Sequence, residues 1–352
     1  MEMLNEWIKN ISPPDENAAE SARRRWDGLA KPLGSLGIFE DDLVRIAALT
    51  GSADIQLARR KLLVFCADNG VVAEGVSQCG SEVTAHVAAA LAEGRSTISP
   101  MAKTVNCAVL PVDVGIRDFP GHPGVLDRRV KNGTENIAQK PAMTREACLV
   151  AMVAGARLVA ELAGETDIFA LGEMGIGNTP TACAVRAARL DTDPEPLVGR
   201  GAGLSDAGLR RKKEVIRGAL TLHAPEANDP IDVLAKVGGL DIAAMCGAFL
   251  AAAKYRVPVV ADGLISTVAA LCAVRLCPAA KKALLLSHCS AEPAAAQALE
   301  ALDLPAPITA GLRLGEGGGA VALLSLLDMA LAVYNSGQTF DRLGIDAYTP
   351  QN

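Results

Sequence analysis

Short runs rich in branched or otherwise apolar residues recur along the chain, at 62–67, 108–114, 167–171, 257–261, 283–286 and 308–314. Each has the length and the unbroken apolar character of a strand buried on both faces. Between most of them lie longer Ala/Leu-rich stretches at helical spacing, at 82–91, 144–162, 179–189, 206–222, 241–253, 266–276 and 291–301. Strand and helix alternating in this way predict an α/β fold built on a doubly wound, mainly parallel sheet. The ends of the chain differ, because residues 1–58 and the tail after Ala320 carry helical patterns without strand runs. The expectation is a large sheet domain over 59–320 and a small helical domain built from both termini, 1–58 plus 321–352. Residues 115–140, rich in Gly, Pro and charge, read as a long surface loop.

The polar motifs mostly fall just after the predicted strands: Asp68-Asn69-Gly70, Gly172-Glu173-Met174-Gly175-Ile176-Gly177-Asn178-Thr179, Asp262-Gly263, Ser287-His288-Cys289-Ser290 and Gly315-Glu316-Gly317. Ligands of open parallel sheets bind outside the carboxyl ends of the strands, so these segments can share one pocket. Glu316 is a lone carboxylate among glycines between an apolar run and an Ala/Leu-rich segment. Glycine lets a ligand approach the backbone, and apolar walls raise the pKa of a Glu and make it a better base. A tight strand-to-helix turn with a solvated Glu is the simpler alternative. Gly175-Ile176-Gly177-Asn178-Thr179 precedes a helix, where free N–H groups suit a phosphate. Capping of that helix by Asn178 or Thr179 is the competing account. A second glycine loop, Gly199-Arg200-Gly201-Ala202-Gly203, leads into the helix of Lys212, which reads either as a phosphate countercharge or as an ordinary surface lysine.

Composition narrows the classes. The 352 residues are half apolar, about a fifth charged and carry a net charge of −6, and aromatics are scarce. That balance disfavours a nucleic-acid surface, which needs basic clusters and stacking platforms. The one basic run, Arg210-Arg211-Lys212-Lys213, reads as a helix face or a phosphate contact. Nine cysteines without a CxxC pair fit free thiols in a reducing cytoplasm. Cys66 and Cys289 read as packing thiols, and His86, His122, His223 and His288 lack metal-site spacing, so no metal is expected. The opening residues lack the features of a signal peptide, and the apolar region 243–277 is interrupted by Lys254, Arg256, Pro258 and Asp262, so no membrane span is expected. Asp41-Asp42, in an amphipathic pattern, reads as a solvated face.

Taken together, Leu29-Ala30-Lys31-Pro32-Leu33-Gly34-Ser35-Leu36-Gly37, Ala67-Asp68-Asn69-Gly70 with Glu74-Gly75-Val76-Ser77, the 172–179 motif, Gly238-Gly239-Leu240-Asp241-Ile242-Ala243-Ala244 and Leu314-Gly315-Glu316-Gly317 occur in one order. As a set they closely resemble the nicotinate-nucleotide–dimethylbenzimidazole phosphoribosyltransferase family over nearly the whole length. The resemblance implies transfer of the phosphoribosyl group of nicotinate mononucleotide to a benzimidazole, giving the α-nucleotide and nicotinate. It also implies a homodimer with a Rossmann-like large domain, and neither metal nor cofactor. By the same match Glu316 is the general base, and Glu173 lies by the ribose. Gly175, Ile176, Gly177, Asn178, Thr179, Gly201, Gly203, Lys212 and Ser290 surround the nucleotide, and Ala73, Ser81, Met174 and Leu314 line the base pocket.

One region departs from that pattern. The family commonly continues after Glu74-Gly75-Val76-Ser77 with an aromatic, Pro and often Gln, where this chain has Cys79-Gly80-Ser81. Asn69 stands where His is usual, and Gly318 where Ser or Thr is frequent. Smaller side chains there imply a roomier or differently polar slot for a benzimidazole, a purine or a phenol. A catalytically silent nucleotide-binding subunit is a further alternative, against which the retention of both Glu173 and Glu316 speaks.

Overall fold

The computed structural model describes residues 2–201 and 203–348. Six strands, β1 Arg60–Ala67, β2 Cys107–Gly115, β3 Leu126–Asp127, β4 Ile168–Met174, β5 Val259–Ala261 and β6 Leu284–Leu286, form one parallel sheet in the order β3-β2-β1-β4-β5-β6. The chain winds outward from β1 in one direction and from β4 in the other, so a crevice opens between the carboxyl ends of these two neighbours. Helices α1 Glu2–Ile8, α2 Glu16–Asp27, α3 Ile38–Thr50, α4 Glu82–Ala92 and α5 Ile98–Thr104 come from the first third of the chain. They are followed by α6 Arg145–Leu162, α7 Asn178–Leu190, α8 Asp206–His223, α9 Pro230–Val237 and α10 Leu240–Lys254. The remainder are α11 Leu264–Leu276, α12 Ala295–Leu302, α13 Gly318–Tyr334 and α14 Phe340–Leu343.

Alternation along β1 assigns the two cores. Leu63, Phe65 and Ala67 face a core shared with α1 and α6 to α12, while Leu62, Val64 and Cys66 face one shared with α2 to α5 and α13. The termini meet over the second face. Leu29 bridges Thr339, Ala30 N–H donates to Gln338 O at 2.8 Å, and Trp26 packs edge-on against Tyr334 with ring centroids 5.0 Å apart. Helix α1 departs from this grouping, because Leu4 and Trp7 pack into the first core, against α6 and α10.

Several details correct the expectation from the sequence. Residues 308–314 are not a strand: only Ile308 bridges, to His288, and the left-handed Gly311 with its exposed neighbours breaks any longer pairing. The helix expected over 291–301 begins at Ala295, after Pro293. Helix α5 and the two-residue β3, inside the expected 115–140 loop, are too short to carry a periodic signal, and the amphipathic α9, capped by Asp229, adds to the predicted elements. Asp42 is not solvated. It is buried on α3, and burial, with Arg45 at 4.0 Å pulling the other way, pushes its pKa to about 7. Helix α6 with the turn after it is long and apolar enough to cross a membrane, but its apolar side packs in the core against α10.

That helix pair is the tightest contact of the first core. A Cβ on Gly155 of α6 would overlap the Ala244 carbonyl oxygen, and one on Gly247 of α10 would overlap the Met152 carbonyl oxygen. Both obstacles are helix backbone, which cannot move aside as a side chain can. Gly247→Ala is expected to destabilise the protein by about 3 kcal/mol despite the better helix propensity of Ala. Chemical denaturation checks this; an unchanged midpoint would contradict the packing.

Candidate active site

The strand ends and the loops after them converge as the doubly wound order requires. Asp68, after β1, accepts from Thr84 Oγ1 at 2.7 Å and from Arg117 N–H at 2.8 Å. Thr84 Oγ1 in turn accepts from Ile176 N–H at 3.1 Å. This chain of bonds ties the glycine loop after β4 to α4. Gly177, with φ +87°, ends the loop as the residue before α7. Neither Asn178 nor Thr179 caps the helix; the capping alternative therefore fails, and both side chains have other partners. Thr179 Oγ1 accepts from Lys212 Nζ at 2.8 Å, and Lys212 Nζ also donates to Gly199 O at 3.0 Å. Lys212 is fully buried, not a surface lysine, and burial holds its pKa below the ordinary value.

Two cavities meet at this loop and share Gly175, Ile176, Asn178, Thr179 and Gly201 in their walls. The larger, about 270 Å³, runs from Glu173 and Met174 past Asp262 to His288, Ser290 and Leu314. The smaller, about 100 Å³, is closed by Ser77, Cys79, Arg200 and Gly203. Gln78 Nε2 donates to Gly203 O, which joins the second glycine loop to the Cys79 segment. Ser290 Oγ donates to Leu312 O at 3.3 Å and accepts from Glu292 N–H at 3.3 Å.

Gly315 lines the larger cavity, while Glu316, the next residue, is in neither cavity wall. Gly315, Glu316 and Gly317 are all left-handed, with φ of +76°, +55° and +90°. For a glutamate that backbone costs about 1 kcal/mol or more, so neighbouring structure must impose it. Glu316 N–H donates to Glu173 O at 3.2 Å, and Glu316 Oε2 accepts from Ile98 N–H at 3.3 Å. A Cβ on Gly172 would stand 2.6 Å from the Glu316 carbonyl carbon, and one on Gly315 would stand 2.7 Å from Glu173 Oε1. Only glycine at these points lets the two segments touch. Asp262 anchors the loop from below: Oδ1 accepts from Gly319 N–H at 2.6 Å and Ala320 N–H at 3.1 Å, and Oδ2 from Gly317 N–H at 3.2 Å.

Four carboxyls, of Glu173, Asp241, Asp262 and Glu316, gather at one end of the site. Burial and the Asp241 carboxylate push Glu173 up to about 8, and burial pushes Asp241 and Asp262 to about 6. Burial also raises Glu316 above its ordinary range, with Ile98 N–H and Ser96 opposing it. Asn178 Nδ2 donates to Glu173 Oε2 and, at 3.0 Å, to Asp241 Oδ2. His288, with Nδ1 2.9 Å from Ser287 Oγ and 3.9 Å from Asp262 Oδ1, is held below its ordinary pKa by burial. The site is built for a ligand that brings positive charge to the carboxylates and negative charge to the Lys212 end.

Of the residues singled out in the sequence, Glu173, Met174, Gly175, Ile176, Asn178, Thr179, Gly201, Ser290 and Leu314 line the larger cavity. Gly177 and Gly203 line the smaller one, and Lys212 stands behind Thr179. Ala73 is exposed on the turn after β1 and Ser81 precedes α4, both outside the two cavity walls. Asp241, Asp262 and His288 were not assigned a role from the sequence, although Asp262-Gly263 and Ser287-His288 follow strands as the other site motifs do. Arg313 and Glu292, which also line the larger cavity, carry no local signal.

A phosphoribosyltransferase family model matches residues 11–345. The nicotinate-nucleotide–dimethylbenzimidazole phosphoribosyltransferase of Acetivibrio thermocellus is 41% identical over 350 residues, spanning 99% of this chain and 100% of that one. Its counterpart from Chloroflexus aggregans is 42% identical over 347 residues, with 98% of each chain covered. The crystal structure of CobT from Thermus thermophilus aligns with a TM-score of 0.88 at 38% identity, over 94% of this chain and all of that one. Fold, full-length identity and family match agree, and the chain belongs to the nicotinate-nucleotide–dimethylbenzimidazole phosphoribosyltransferase family.

Proposed function

We propose that the protein transfers the 5-phosphoribosyl group of nicotinate mononucleotide to 5,6-dimethylbenzimidazole or a related base. The reaction proceeds with inversion at C1′ and yields α-ribazole 5′-phosphate and nicotinate. The observation that carries this reading is the backbone contact of the Glu173 and Glu316 segments beside a glycine loop backed by a buried lysine. The nucleotide phosphate sits at Gly175–Thr179, the start of α7, with Gly201, Gly203 and Ser290 around it and Lys212 supplying positive charge through Thr179. The ribose and the cationic pyridinium lie toward Glu173, whose carboxylate accepts hydroxyl hydrogen bonds and stabilises positive charge developing on the sugar. The acceptor ring lies beside Glu316 between Met174 and Leu314, with Ala73 and Ser81 on the neighbouring segment.

The chemistry balances without an acid catalyst. As the C1′–N bond breaks, the bonding pair returns to the pyridinium nitrogen and neutralises it. One azole nitrogen supplies the pair for the new bond to C1′, and the other loses its proton to Glu316. Holding both rings in line supplies much of the acceleration. Two chains pair as a homodimer in this reading, supported by apolar side chains left exposed on α13, Met329 and Val333.

Three measurements test these roles. Nicotinate release is assayed with a panel of benzimidazole, purine and phenol acceptors; the small Cys79-Gly80-Ser81 segment predicts turnover with more than one class, and release with none would end the transferase reading. Glu316→Gln is expected to bind nicotinate mononucleotide as before while losing about 10²–10⁴-fold in kcat with an azole. In the unchanged enzyme kcat/KM falls as pH drops through the raised Glu316 pKa, because the base must be ionised. Undiminished turnover of the variant would refute the base assignment.

Glu173 also leaves a mark on stability. Its folded pKa lies above that of an unfolded chain, so the empty protein is favoured at low pH and loses that contribution as pH rises through about 8. Melting temperature should therefore fall less steeply with pH in Glu173→Gln. Parallel slopes for variant and parent would contradict the raised pKa.

A further inference from the structure

Glu316 is held at both ends. Its backbone is fixed by the loop whose Gly317, Gly319 and Ala320 N–H groups donate to Asp262. Its carboxylate is fixed elsewhere, on the turn between α4 and α5, to which the reaction described above gives no role. Glu316 Oε2 accepts from Ile98 N–H at 3.3 Å, and Ser96 adds a side-chain hydrogen bond to the same carboxylate. Ile98 is fully buried in the second core and α5 packs on α13, so these donors are placed by the helix that follows Glu316.

Behind Ser96 stands a second hydroxyl. Ser96 Oγ and Ser99 Oγ lie 2.8 Å apart, both residues are buried, at 8% and 3% exposure, and Ser99 N–H donates to Ser96 O at 3.2 Å. A hydroxyl has one proton to give. With the Ser96 proton on Glu316, Ser99 must supply the proton between the two oxygens, so the bonds run one way, from Ser99 to Ser96 to the carboxylate. Hydrogen bonds in series polarise one another, and the second hydroxyl strengthens the first.

The charged groups around Glu316 do not provide this support. Glu173 on β4 and Asp262 after β5 are themselves carboxyls, and His288, against Gly319, is held below its ordinary pKa by burial. Arg95, on the same turn as Ser96, gives its guanidinium to Glu93, and Arg313 is exposed. Neutral donors therefore carry the anion. They occupy about two of the roughly four lone-pair positions of a carboxylate and leave the others open.

We propose that Ser96, backed by Ser99, is a positioning residue for the base: with Ile98 N–H it clamps the Glu316 carboxylate, turns its open lone pairs toward the acceptor's N–H and holds it as the anion until that proton arrives. The consequence for turnover rests on the transferase reading, whereas the clamp does not. Burial raises the Glu316 pKa and both donors oppose it, as bonds to an ionised form do, so removing one of them raises it further.

The test reads Glu316 directly. Protein carrying carbon-13 in the glutamate side-chain carboxyls is titrated by NMR, the Glu316 signal being identified by its absence from Glu316→Gln. Ser96→Ala should titrate about one pH unit above the parent, because a hydrogen bond to a charged group is lost. Ser99→Ala should move the titration the same way by less, and Ser96→Thr, which keeps the hydroxyl, should restore it. The acid limb of kcat with an azole acceptor should follow: Ser96→Ala loses about tenfold below the limb, and the loss shrinks as pH rises. A residue that only supports the fold would lower kcat alike at every pH. An unmoved Glu316 titration in folded Ser96→Ala, or a Ser96→Thr that titrates with Ser96→Ala, overturns the proposal; an unmoved titration in Ser99→Ala does so should Ser96→Ala not fold. A shifted titration with an unmoved kcat limb would instead count against Glu316 as the base, with the clamp left standing.

Discussion

The hold of Asp262 on the start of α13 is the constraint on which the site depends. One buried carboxylate receives the N–H groups of Gly317, Gly319 and Ala320, donors that a helix otherwise leaves without partners. These bonds do the work of a side-chain cap, which Gly317 cannot supply, and they come from a different strand. In doing so they fix three successive left-handed residues and bring Glu316 against β4. The helix dipole stabilises Asp262 in return, while its remaining charge adds to the field that raises Glu173.

That field gives the empty site its character. Glu173, Asp241, Asp262 and Glu316 converge from four elements, and their nearest favourable partners are amides and backbone N–H groups. Amides stabilise a carboxylate without neutralising it, so the cluster is costly until a cation arrives or protons are retained. In the proposed reaction a pyridinium nucleotide offers that cation, and nicotinate, which keeps only its carboxylate charge on leaving, does not. In that reading the field that favours entry of the pyridinium also favours departure of the anionic product, a difference between bound states that serves turnover.

Much of this was legible in the sequence because the fold repeats one local rule. Every site motif that follows a strand run was visible as polar and glycine residues after apolar ones, and the parallel architecture then brings them to one edge. What stayed hidden depends on long-range partners. Asn178 looks like a helix cap and Lys212 like a surface residue until the 199–203 loop and the neighbouring carboxylates are in place. Asp42 sits in an amphipathic pattern, yet α3 is covered on nearly all sides. The 308–314 run has the apolar content of a strand, but left-handed Gly311 and its exposed neighbours limit its pairing to the single bridge of Ile308 to His288.

Gly172 carries a consequence for how this enzyme can change. With no side chain there, strand β4 and the Glu316 peptide lie backbone against backbone, so the spacing of the two glutamates is set by main chain and not by rotamers. Segments 172–179 and 314–320 therefore form one exchangeable unit. A chimera that imports either segment alone from a relative with a different acceptor inherits a mismatched seam, whereas the loop at 77–81 lies outside that seam and is tied instead to the second glycine loop, through Gln78 and Gly203.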